Sequence, residues 1–119
     1  MSPFQGDWTR QDVETLIARG VPAELLHVPI AITLDVQDFT WSQAICISLA
    51  SHPNENVRGN AILGFGHLAR TCGQIDAATV APLVAAALQD ESEYVRGHAD
   101  SAAGDLLHFL GVRVLGFAA

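Results

Sequence analysis

With 119 residues, half of them hydrophobic and only 16% charged, the chain can build one domain around a single core and is too apolar to stay disordered. Six arginines, no lysine and a net charge of −7 disfavour binding to a phosphate backbone, which needs cationic side chains. The same acidity suits a basic protein partner, where opposite fields speed encounter, or simply aids solubility. The charge is uneven: residues 1–37 sum to −3, residues 38–75 to 0 and residues 76–119 to −4.

The first residues, 1–8, read as an irregular lead-in. They lack the basic flank and apolar run of a secretory leader, and no apolar stretch is long enough to span a bilayer, so a cytoplasmic protein is expected. Thr9 is placed to cap a helix over Arg10–Arg19, with Asp12 completing a capping box and Val13, Leu16 and Ile17 as its apolar stripe. Gly20 ends it, and Pro22 fits the first turn of the next. The spacing predicts helix over about 23–34 with a kink at Pro29, although the β-branched run from Val28 to Leu34 leaves an extended piece open. Residues 35–39 connect.

Four helices are then predicted. Asp38 or Thr40 caps one running to Ser51, whose apolar positions Trp41, Ala44, Ile45, Ile47, Ser48 and Leu49 cover most of its circumference and should be buried. His52-Pro53 turns the chain, Asn54 opens a helix to about Thr71, and Gly73 ends it. Asp76 caps Ala77–Gln89, residues 90–92 turn again, and the last helix runs from about Ser92 to Leu110 before Gly111. The apolar tail 112–119 should cover the open end of the array or mediate self-association.

The two longest of these helices repeat each other. His52-Pro53-Asn54-Glu55-Asn56-Val57-Arg58-Gly59-Asn60-Ala61, with Gly66-His67-Leu68, matches Asp90-Glu91-Ser92-Glu93-Tyr94-Val95-Arg96-Gly97-His98-Ala99, with Gly104-Asp105-Leu106, at a constant offset of 38 residues. A fixed offset of this size is the mark of stacked helical repeats. Val57, Ala61, Gly64, Leu68 and Thr71 form one inward stripe, and Val95, Ala99, Ala102, Leu106 and Phe109 the other. Recurrent glycines, Gly59, Gly64 and Gly66 and then Gly97 and Gly104, point to close helix approach, because a mid-helix glycine otherwise costs about 1 kcal/mol against alanine.

Pro53, Val57, Arg58, Gly66 and Leu68, and again Asp90, Val95, Arg96, Gly104 and Leu106, resemble the turn and second helix of HEAT and HEAT-like repeats. The resemblance covers about residues 40–111 and implies an all-α fold, a short α-solenoid of two helix-pair repeats (38–73 and 76–111), with the N-terminal helical segment (1–37) and the C-terminal tail (112–119) flanking it. It also implies a ladder between neighbouring repeats, with Arg58 paired to Asp90. His52 departs from the pattern where the first repeat would carry Asp. The run Asn56 to Arg70 further resembles small bacterial HEAT-like proteins of polymorphic-toxin and contact-dependent inhibition systems, whose role is immunity: binding and blocking a cognate toxin.

Two surfaces are candidates for binding. Tyr94, His98 and Asp105 on the last helix should lie beside Asn60 and His67 on the earlier one, making a polar partner-binding face. Asp90, Glu91 and Glu93 surround a helix N-terminus, where they cap it, complement its dipole and offer negative charge to a basic partner. His67, His98 and Asp105 could also serve a small accessory enzyme, but His98 and Asp105 are seven residues apart and no HxxxH spacing is present, so no metal or other cofactor is expected. No nucleophile elbow or phosphate loop occurs, and Gly64-Phe65-Gly66 lies inside a helix. Cys46 and Cys72 read as free thiols, Trp41 as core, and Trp8 as packing back or anchoring a partner. The expectation is thus a non-enzymatic, acidic protein-binding module, an immunity protein against a basic toxin such as a nuclease, with a scaffold or adaptor role as the alternative.

Overall fold

The computed structural model describes residues 8–118, and residues 1–7 of the expected lead-in, like Ala119 at the tail's end, lie outside them. The described residues form helices and no strand: α1 (Arg10–Arg19), α2 (Pro22–Leu25), α3 (Val28–Leu34), α4 (Phe39–Leu49), α5 (Glu55–Cys72), α6 (Ala77–Ala87) and α7 (Glu93–Leu110).

Local chemistry sets most of the boundaries. Thr9 and Asp12 exchange reciprocal hydrogen bonds at the start of α1, at 3.1 and 2.8 Å. Asp38, Asn54, Asp76 and Ser92 cap α4 to α7 with their side chains. Gly20, Gly73 and Gly111 close α1, α5 and α7 at positive φ, which glycine alone adopts without a Cβ penalty. The expected kink at Pro29 is instead a break: α2 stops at Leu25, and Pro29 falls in the first turn of a new helix, where a missing N–H costs nothing.

The core lies around α5. It packs on α7, α3, α4 and α6. Phe65, Ile62, Leu68 and Val57 of α5 are fully buried with Ile32 of α3, Val80 and Val84 of α6, and Val95 and Leu106 of α7. Three side-chain contacts across α5 share one spacing, beside others at 32 and 38 residues. Asn60 meets Leu26, His67 meets Thr33 and Tyr94 meets Asn60, each pair 34 residues apart. That is one helical turn short of the 38-residue offset. Both the α2–α3 segment and α7 thus reach α5 at this spacing.

Close approach explains the glycines unevenly. A Cβ on Gly66 would lie 2.8 Å from Asp105 Oδ2 and 3.1 Å from the Ala102 Cα, and one on Gly64 would meet Cys46 Sγ at 3.0 Å. Gly97 has nothing within 4 Å, so the expected close approach fails there. Two further expectations are corrected. Ala44 and Ser48 of α4 are exposed, since only the Trp41, Ser42, Cys46 and Leu49 side of that helix meets the core. Thr71 and Phe109, at the ends of the two inward stripes, are exposed, Thr71 turning its hydroxyl to the His67 and Thr33 carbonyls.

Trp8 packs back, buried and stacked on the buried Trp41 with ring centroids 5.9 Å apart. Arg10 lies over the Trp41 ring, 5.1 Å from its centroid. The tail folds against α7: Val114 is buried, Phe117 packs near Gly104, and Leu115 points outward.

Candidate partner-binding face

The turn edge is built around one guanidinium. Arg58 donates from Nε to Asp90 Oδ2 at 2.8 Å and from Nη2 to Asp90 Oδ1 at 2.9 Å, a side-on pair. Its Nη1 donates to the carbonyls of His52 and Pro53 at 3.0 and 3.3 Å. Asp90 Oδ1 also accepts the Ser92 N–H at 2.9 Å, and Arg96 donates to the Asp90 carbonyl at 2.7 Å. The hydrogen bonds from Arg58 hold the Asp90 carboxyl below its ordinary pKa, and Asp90 in turn raises that of Arg58. Asp90 is thus committed to the fold. His52 accepts the Asn54 N–H at Nδ1 over 3.0 Å, so it turns the chain where the repeat pattern has Asp.

Glu55, Glu91 and Glu93 stand exposed at this edge and make no ion pair among the described residues. Glu55 and Glu91 lie near enough to add to the field on Arg58. Sequence reasoning placed Glu91 and Glu93 here and missed Glu55, whose position at the first turn of α5 matches Glu93 at the first turn of α7.

Asn60 is not on the polar face. It is 4% exposed, donates from Nδ2 to the Leu26 carbonyl at 2.7 Å and accepts the Tyr94 hydroxyl at Oδ1. Burial of both amide ends is possible only because each has a partner. Asn60 ties α7 through α5 to the α2–α3 junction, an internal role. Tyr94 remains 39% exposed, covers Gly59 and lies against His98 with ring centroids 4.3 Å apart.

His67 is half-buried between α3 and α5, its Nδ1 3.1 Å from Thr33 Oγ1. The Thr33 hydroxyl donates to the Pro29 carbonyl at 2.6 Å, so it accepts from His67, which places the ring proton on Nδ1. Burial, with Arg70 and His98 in support, pushes the His67 pKa down against the pull of Asp105, and burial lowers that of His98 too. Thr33 was missed from sequence; its signal was the separation of 34 residues from His67, shared with the Leu26–Asn60 and Asn60–Tyr94 contacts.

Asp105 is half-buried, with Oδ2 against the Gly66 backbone. His67, His98 and Asp105 share one side of the α5–α7 pair, but among the described residues no three His, Cys, Asp or Glu side chains converge as a metal site would require. Cys46 is buried and its thiol is pushed up to about 12 by that burial, which makes it a poor nucleophile, while Cys72 is half-buried and free. Among the described residues no helix is long and apolar enough to cross a membrane. What the face can do is present an aromatic ring and exposed carboxylates beside the paired helices α5 and α7. No family model, curated protein or solved structure matches the chain.

Proposed function

We propose that this chain is a short HEAT-like stack acting as a non-enzymatic, acidic protein-binding module. The recurrent 34-residue contact spacing and the Arg58–Asp90 pair support the solenoid reading. The partner is a basic protein, and the role is that of a cytoplasmic immunity protein covering a cognate toxin, a nuclease being the class whose charge fits.

One observation carries the reading. The turn edge gathers the exposed carboxylates Glu55, Glu91 and Glu93 beside the exposed Tyr94, while Arg58 is neutralised by Asp90. A rim of unpaired like charge around an aromatic is suited to steer and then hold a cationic surface.

The test is affinity capture from the native organism, followed by titration of the purified partner at low and high salt. A single stoichiometric basic partner whose association slows steeply with salt supports the proposal. Salt-insensitive binding, or capture of no protein, overturns it.

A further inference from the structure

The C-terminal face of the molecule combines a rigidly held knob with two hollows. The tail turns at Val114–Phe117, where the Phe117 N–H donates to the Val114 carbonyl at 3.1 Å. Gly116 occupies the third position at φ 89°, the residue and sign that a type II turn demands there. Val114 is buried in the core and Phe117 packs near Gly104 of α7, so both ends of the turn are held. Leu115, between them, is held 88% exposed. On one side of it lies a hollow of about 560 Å³ floored by Leu107 and Phe117, and on the other one of about 420 Å³ floored by Ala81, Pro82 and Ala85 of α6. Arg113 lines both, and neither lining contains an acid.

We infer that this face receives a second copy of the chain across a two-fold axis. Two observations choose that occupant. The first is shape. A two-fold contact uses one patch twice, so the patch must fit itself. Here the exposed leucine and the hollows beside it lie on one face, and rotation sets Leu115 of each copy into a hollow of the other. The second is charge. Asp100, Gly104 and Leu107 fall at helical spacing on one side of α7, the side that Phe117 and the larger hollow occupy. Asp100 and Arg113 are both exposed on that side and neither forms an ion pair among the described residues. Asp100 stands two helical turns before Leu107, and Arg113 lies beside it, so the two charges mark opposite ends of the face. A two-fold brings Asp100 of one copy to Arg113 of the other, twice. Asp100 then faces a cation across the contact in a chain of net charge −7, which lets two like-charged molecules meet there.

This contact is independent of the acidic turn edge and differs in its response to salt. Burial of Leu115 is apolar and persists when charges are screened, whereas capture of a basic partner fades.

Sedimentation of the full chain over a concentration series at low and high salt tests the inference. The expected mass rises with concentration from the single-chain 12.6 kDa toward twice that value at both salts. Leu115→Asp should give the single-chain mass throughout and, at concentrations where the parent is also a single chain, an unchanged melting temperature, since Leu115 touches little of its own chain. Asp100→Arg and Arg113→Asp should each shift the transition to at least tenfold higher concentration, and the double variant should recover it. A single-chain mass for the unaltered protein at every concentration overturns the proposal. So does a dimer that survives Leu115→Asp, and a double variant no better than the singles overturns the two-fold pairing. Leu115→Asp should still bind a basic partner, so loss of either association leaves the other separately readable.

Discussion

Arg58 of α5 and Asp90 of the turn before α7 meet side-on, with two hydrogen bonds of 2.8 and 2.9 Å, and each side chain is less than a fifth exposed. The pair joins two segments 32 residues apart and holds the N-terminal end of α7 against α5. Arg58→Ala or Asp90→Ala strands the other member half-desolvated, and each should cost about 2 kcal/mol in urea unfolding. Glu91→Lys with Glu93→Lys should change stability by only about 0.5 kcal/mol, mostly by opposing the α7 dipole, yet weaken binding to a basic partner. These two outcomes together would separate Asp90, which holds the fold, from Glu91 and Glu93, which the proposal assigns to the partner.

Acid should destabilise the domain in two stages. The folded state depresses the pKa of His67 and His98, so it holds fewer protons there than the unfolded chain. Their contribution is complete above the ordinary histidine value of 6.5 and drains as pH falls through the lower folded values. Asp90 is also depressed, so the stability from its pair is complete above the ordinary value of 3.8 and is lost as pH falls further. Urea midpoints across pH should fall in both windows. His67→Gln should flatten the first, and Asp90→Asn the second.

Asn60→Leu should destabilise by about 1–3 kcal/mol, because the Leu26 carbonyl and the Tyr94 hydroxyl would lose their partner together. Tyr94→Phe should cost about 1 kcal/mol, since Asn60 keeps its bond to Leu26. A double-mutant cycle read by chemical unfolding should give non-additive losses, as both changes break one bond. Additive losses would mean that Tyr94 and Asn60 act separately.

Two mid-helix glycines should respond oppositely to alanine. Gly97→Ala meets open space and should stabilise by about 1 kcal/mol through helix propensity alone. Gly66→Ala puts a methyl group 3.1 Å from the Ala102 Cα and 2.8 Å from Asp105 Oδ2, and should cost about 1–3 kcal/mol as α7 is forced away. Thermal melts of the two variants against the parent separate the signs.

Thiol titration should find one reactive cysteine in the folded protein and two after unfolding. Cys46 is fully buried with its pKa pushed up to about 12, and Cys72 is half-buried at the end of α5. Cys46 reacting in native buffer at the rate of Cys72 would contradict its burial.

The sequence by itself determined where the long helices begin and end. Thr9, Asp38, Asn54, Asp76 and Ser92 bond to backbone within a few residues, and Gly20, Gly73 and Gly111 take a conformation closed to other side chains. Such interactions are complete within one turn of chain and need no neighbour. The tertiary structure alone decided which face of each helix is covered. Asn60 follows Gly59 on α5 and looks like part of a polar stripe, yet it is buried because Leu26 and Tyr94 arrive from segments 34 residues away on either side. Phe109 and Ala44 have core chemistry and stand exposed, on sides of their helices that the core does not use. Gly59 and Gly97 are matched in the repeat, and only the first has an aromatic ring against it, because α5 has a following helix where α7 has a short tail. Burial depends on what the rest of the chain brings to a position, which periodicity along one helix does not encode.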